Sequence, residues 1–208
     1  MAIAVTLTLT NVFQFISFLT PLLIVFFVLM LSIINNNIMK GLIFNMGVII
    51  VASITYFLKN ILKSRQSEYA SPFCNVLPGP FTVLAGDGIF NSPSTSTSII
   101  GFAISYIIFP MMVNNQMNPM LLTFLVAALG INGAVEMQNK CTSIGGIVLG
   151  ALVGILFGII YYTLLVGSGN KDMAFFAESI SSNNTTCSKP GKKRFKCVTY
   201  SRSSVPTP

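Results

Sequence analysis

The sequence predicts an all-α, polytopic membrane helix bundle of about five transmembrane helices with a basic C-terminal tail. Three observations predict it. Of 208 residues only 8% are charged and 53% are hydrophobic, whereas an average soluble domain carries roughly 25% charged residues. The mean hydropathy is +0.77, and the apolar residues fall in long runs rather than periodic stripes. The basic residues lie mostly outside those runs, and the formal net charge is +7. So few charges cannot wet the surface of a soluble globule of this size, which excludes a soluble enzyme.

A hydrocarbon core of about 30 Å needs roughly 20 apolar residues in helix. Five stretches qualify. Phe13–Ile34 is uncharged, with Pro21 a kink that neighbouring helices must accommodate. Gly41–Leu58 is stopped by Lys59. The third runs from Ser94 to Val113 with Pro110 in its last turn, the fourth from Pro119 to Val135, and the fifth from Ser143 to Val166. Between the second and third, Val76–Phe90 is apolar but broken by Pro78, Gly79, Pro80, Gly86 and Gly88, so an interfacial or re-entrant piece is predicted there. Asp87 in this stretch reads as turn chemistry. The expected organisation is an N-terminal segment (1–12), a transmembrane domain (13–167) and a Ser/Thr-rich basic tail (168–208). The N-terminus lacks the basic region of a cleavable signal peptide, so the first run is expected to be retained as a span.

Five spans put the termini on opposite sides of the membrane. The tail side then holds Lys40, Lys171, Lys189, Lys192, Lys193, Arg194, Lys196 and Arg202; the N-terminal side holds Lys59, Lys63, Arg65 and Lys140. The excess of Lys and Arg predicts a cytosolic tail.

Gly146, Gly150, Gly154 and Gly158 recur every four residues in the fifth span. That spacing keeps them on one face and lets another helix approach closely. Helix packing is the expected use, a substrate path along the groove the alternative.

The run Gly146-Ile-Val-Leu-Gly150-Ala-Leu-Val-Gly154 resembles the end of the third signature motif of the type-2 phosphatidic acid phosphatase superfamily, D-V-x-x-G-A-x-x-G. Ser92-Pro93-Ser94-Thr95-Ser96 stands where that family has P-S-G-H, and Ser71-Pro72 where it has the end of K-x6-R-P. The order, spacing and membrane side of all three agree, over residues 40–166. The resemblance implies an emptied site. The family's first-motif Lys and Arg fall on Ser64 and Ser71, and its general-acid His falls on Ser96. The third-motif Ser, Arg, His and Asp fall on Val135, Glu136, Thr142 and Gly146. Phosphohistidine chemistry needs an imidazole, and the chain has no His. No catalytic residue, cofactor or metal is therefore expected, and no small-molecule substrate. Ser94 or Ser96 could cap a helix, or Pro93-Ser94-Thr95-Ser96 could retain an anion site at a helix start.

Glu136 and Lys140, four residues apart at the end of span four, suit a helical ion pair. A proton-relay role for Glu136 is the alternative. Cys74 and Cys141 lie in loops that share a side, so a disulfide between them is geometrically allowed. Cys187 and Cys197 bracket nine residues containing Pro190-Gly191, suited to a small closed loop. With two pairs on opposite sides, one would face a side expected to be cytosolic, where disulfides are rare; maturation in a virus particle would resolve that tension. Asn183-Asn184-Thr185-Thr186 contains two overlapping N-x-T acceptors, whose glycosylation would invert the topology.

The tail carries seven basic residues against Asp172 and Glu178, and Phe175-Phe176 could anchor it at the membrane surface. Its core, Lys189-Pro-Gly-Lys192-Lys193-Arg194-Phe195-Lys196, could attract anionic lipid, nucleic acid or an acidic protein face. With few apolar side chains, the tail alone is expected to be largely disordered. In overall likeness the chain resembles the internal-membrane and minor capsid proteins of large icosahedral double-stranded DNA viruses of the chlorovirus type. That resemblance implies a structural protein of the virion internal membrane, tied to capsid or minor capsid proteins, with a phosphatase-like core that has become a pseudoenzyme. A catalytically dead lipid-binding or lipid-moving protein is the alternative. A small transporter is a weaker one, because Gln14, Asn45, Asn132 and scattered Ser/Thr are the main polar residues in the spans.

Overall fold

A computed structural model describes residues 8–71, 74, 90–170, 173–176, 185–188 and 196–199. Five helices make up the body: α1 (Leu9–Ile34), α2 (Ile38–Leu62), α3 (Thr95–Val113), α4 (Pro119–Gln138) and α5 (Ile144–Gly167). All five are long and apolar enough to cross a membrane. The body of the chain is thus an all-helical polytopic membrane bundle.

Each start has a local cause. Thr8, Ser94, Asn118 and Ser143 accept side-chain hydrogen bonds from the backbone N–H groups of Asn11, Thr97, Leu121 and Gly146, satisfying donors that the first helical turn leaves free. Pro119 occupies the first turn of α4, where its missing N–H costs nothing. The α1–α2, α3–α4 and α4–α5 connections are short and polar, and each carries one residue in the left-handed region: Asn36, Asn115 and Lys140. Between α1 and α2, Ser32 closes the hairpin. Its hydroxyl donates to the Asn37 carbonyl and accepts from the Gly41 N–H at 2.7 Å.

α3 is the central helix, touching all four others, and its tightest partner is α5. The glycine face of α5 is what permits this. A Cβ at Gly150 would collide with the Ser94 carbonyl and Thr97, one at Gly154 with the Ser98 carbonyl, and one at Gly158 with Ser105. Gly101 of α3 answers from the other side, against the Ala151 carbonyl. The glycine stripe is thus a packing face. Below it, Phe44, Phe102, Tyr106, Phe157 and Tyr161 form an aromatic stack with centroids 5.5–5.9 Å apart, and the Tyr161 hydroxyl donates to the Ile43 carbonyl at 2.9 Å. Large apolar side chains such as Phe13, Phe26, Phe57, Phe124 and Leu156 cover the outside, as a lipid-facing surface requires.

Several boundaries differ from the sequence reading. α1 begins four residues before Phe13, α2 runs past Lys59 to Leu62, and α4 continues through Glu136 to Gln138. Charges near a membrane interface do not stop a helix, because their long stems reach water while the backbone stays bonded. Pro21 lies inside a continuous α1. Of the interrupted segment Val76–Phe90, only Phe90 is within the described residues, paired with Arg65 in an isolated bridge. The tail contains order of its own. Ala174 is fully buried, Asn114 donates to the Phe176 carbonyl at 2.6 Å, and strands β1 (Thr185–Ser188) and β2 (Lys196–Thr199) pair antiparallel.

Candidate functional site: the polar end of the bundle

The loop after α2, the start of α3 and the turn between α4 and α5 meet at one end of the bundle. The Asn91 N–H donates to the Ser64 carbonyl at 2.9 Å, and the Ser64 hydroxyl donates to Asn91 Oδ1 at 2.8 Å. The Thr142 hydroxyl donates to the Asn91 carbonyl at 2.8 Å. The Ser71 N–H donates to the Asn139 carbonyl at 3.0 Å, and the Ser94 N–H to the Gly146 carbonyl at 2.9 Å. A disulfide joins Cys74 to Cys141 across 67 residues of chain. Gly146 sits where a side chain would strike Thr142 and Ser92.

Glu136 is the buried acidic residue of this end. It lies in the last turn of α4, 4% exposed. The side chains of Ser94 and Ser96 are within hydrogen-bonding reach of its carboxylate, and Lys59 of α2 acts on it electrostatically. Its Oε2 atom has no hydrogen-bond partner among the described residues. The ion pair expected between Glu136 and Lys140 is not the arrangement found. α4 ends at Gln138, and Lys140 follows in a left-handed conformation with its ammonium 5.2 Å from the Tyr69 ring centroid. An i,i+4 pair needs helix through both residues, and the turn required to reach α5 removes it.

The structure therefore brings together Ser64, Ser71, Ser94, Thr95, Ser96, Glu136, Thr142 and Gly146 at one end of the bundle, with Pro93 buried beside them. Pro72 lies outside the described residues. So do Lys189, Lys192, Lys193, Arg194 and Phe195 of the tail, while Lys196 opens β2 opposite Ser188. Ser94, not Ser96, is the helix cap. Sequence reading missed Asn91, which is bonded to both Ser64 and Thr142. Its one signal was position, an amide directly before Ser92-Pro93 at a chain reversal.

Chemically, this end is a clasp. The Ser64 hydroxyl is spent on Asn91 Oδ1, the Thr142 hydroxyl on the Asn91 carbonyl, and Ser94 and Ser96 lie beside Glu136. No family model, no curated protein and no solved structure matches the chain.

Proposed function

We propose that this protein is a non-catalytic structural protein of a membrane, of the kind that ties the internal membrane of an icosahedral virus particle to its shell. The observation that carries the non-catalytic part is the mutual bonding of Ser64, Asn91 and Thr142, together with the burial of Glu136 against Ser94 and Ser96. At the positions where the resemblance to lipid phosphatases would seat a phosphate clamp and an imidazole, these side chains tie the two ends of the α2–α3 connection to the α4–α5 turn instead. Five spans give a firm anchor, and the basic tail leaves from the end of the bundle opposite the clasp, where it can reach an overlying protein layer. The viral setting is inferred from overall likeness.

A second reading, a lipid-binding or lipid-moving pseudoenzyme, draws on the Oε2 atom of buried Glu136, unpartnered among the described residues. A carboxylate there favours a headgroup carrying hydroxyls or an amine over bare phosphate.

The test is retention on shells after lipid extraction. Because Ala174 and the Phe176 carbonyl are already engaged by the bundle, the informative truncation removes residues 177–208 rather than the whole tail. The full chain should stay with delipidated shells, and the truncated chain should leave with the lipid. Replacing Phe195 by Ala should weaken retention. Full and truncated chains that both leave with the lipid would end the docking reading. A single lipid class copurifying stoichiometrically, and lost in Glu136→Gln, would favour the second.

A further inference from the structure

The antiparallel register of β1 and β2 sets Cys187 directly opposite Cys197, between the pairs Thr186–Val198 and Ser188–Lys196. Directly opposed residues in such a ladder have Cα atoms about 4.5 or 5.5 Å apart, and both spacings fall within the span of about 4.4–6.8 Å that a disulfide bridges. A shift of one residue in either strand would break this match. The other two cysteines are already joined to each other at the far end of the bundle, so Cys187 and Cys197 remain as each other's partner.

We propose that Cys187 and Cys197 are a covalent pair, a second disulfide that closes the basic segment of the tail into a loop. One thiolate attacks a sulfur of an external disulfide oxidant, forming a mixed disulfide and releasing the oxidant's other sulfur as a thiolate. The second cysteine's thiolate then attacks the mixed-disulfide sulfur on the first and displaces the oxidant. Two electrons and two protons pass from the cysteine pair, and the oxidant leaves as a dithiol. The inference does not depend on the proposed function.

Its consequence concerns the membrane. Cys141 precedes α5 and the tail follows it, so a single helix of 24 residues separates the two pairs; at roughly 1.5 Å per residue that is about 36 Å. Two disulfides at opposite ends of a spanning helix mean that both faces of this membrane have met an oxidant. A chain left in a membrane with one face in reducing cytosol would keep only one.

The test is thiol blocking of the full chain in its native membrane, followed by trypsin without reductant. Lys192, Lys193, Arg194 and Lys196 give cleavage between the two cysteines, and Cys197–Arg202 becomes a separate peptide. It should be released only after reduction, from a peptide containing Cys187. Recovery of Cys197–Arg202 carrying the blocking group without reduction overturns the proposal, whatever the state of Cys74 and Cys141. Recovery of Cys197 linked to Cys74, to Cys141 or to a second copy of its own peptide overturns it equally.

Discussion

Buried Glu136 in the last turn of α4 lies beside Ser94, the residue that caps α3, while Lys140 further along its own chain turns toward Tyr69. One carboxylate thereby fixes the end of one helix to the beginning of another, with Ser96 and Lys59 arranged around it. Ser94 works twice, accepting from the Thr97 N–H at 3.3 Å while its hydroxyl proton is free to face the carboxylate.

Replacing Glu136 separates its bonding role from its charge. Glu136→Gln keeps an acceptor for the serines and should lower the melting temperature in detergent only slightly. Glu136→Ala leaves buried hydroxyls without an acceptor and should cost about 1–3 kcal/mol. Equal melting temperatures for Glu136→Ala and the unaltered protein would show that the clasp contributes nothing.

The glycine face gives a paired test within one protein. Gly154→Ala puts a methyl group against the Ser98 carbonyl and 2.7 Å from the Phe102 nitrogen. Backbone cannot give way, so a loss of about 1–3 kcal/mol or more is expected from overpacking. At Gly130 in α4 an added methyl group would meet nothing within 4 Å among the described residues, and Gly130→Ala should be neutral or stabilising by about 0.5–1 kcal/mol. Thermal unfolding of the two variants side by side decides the matter, and the reverse order would refute the α3–α5 packing.

Reduction of the Cys74–Cys141 bridge should loosen the polar end. For a free chain, a closure of 67 residues corresponds to about 4 kcal/mol. Here the effect should be smaller, because α3 and α4 lie between the two cysteines and remain inserted when tertiary contacts are lost. Cys141→Ser should lower the melting temperature to that of reduced protein. If α3 and α4 run antiparallel through a bilayer, a label applied to one face should reach Cys74 and Cys141 of reduced protein together. Labelling from opposite faces would contradict the helix count.

No phosphate should be released from phosphatidate or diacylglycerol pyrophosphate, since the chain contains no His. Turnover that disappears in Ser96→Ala or Glu136→Gln would overturn the non-catalytic reading. It would also show that a carboxylate next to a hydroxyl suffices as a base.

What the sequence determined by itself is the membrane class, the five spans and the side on which the loops meet. These depend on the length and polarity of continuous segments, and a bilayer judges each segment almost independently of the others. The glycine spacing of α5 was legible for the same reason, being a property of one helix. Four glycines four apart could announce a close approach, but not that α3, with Gly101 answering, makes it. The clasp was legible only in part. Ser64, Ser94, Ser96, Glu136 and Thr142 were singled out, yet Glu136 was paired with the wrong partner and Asn91 was passed over. Local spacing ranks Lys140 first because it is four residues away. Only the tertiary structure brings Ser94, 42 positions earlier in the chain, beside the carboxylate, and it does so because α3 is central and α4 must end two residues before Lys140 to turn into α5.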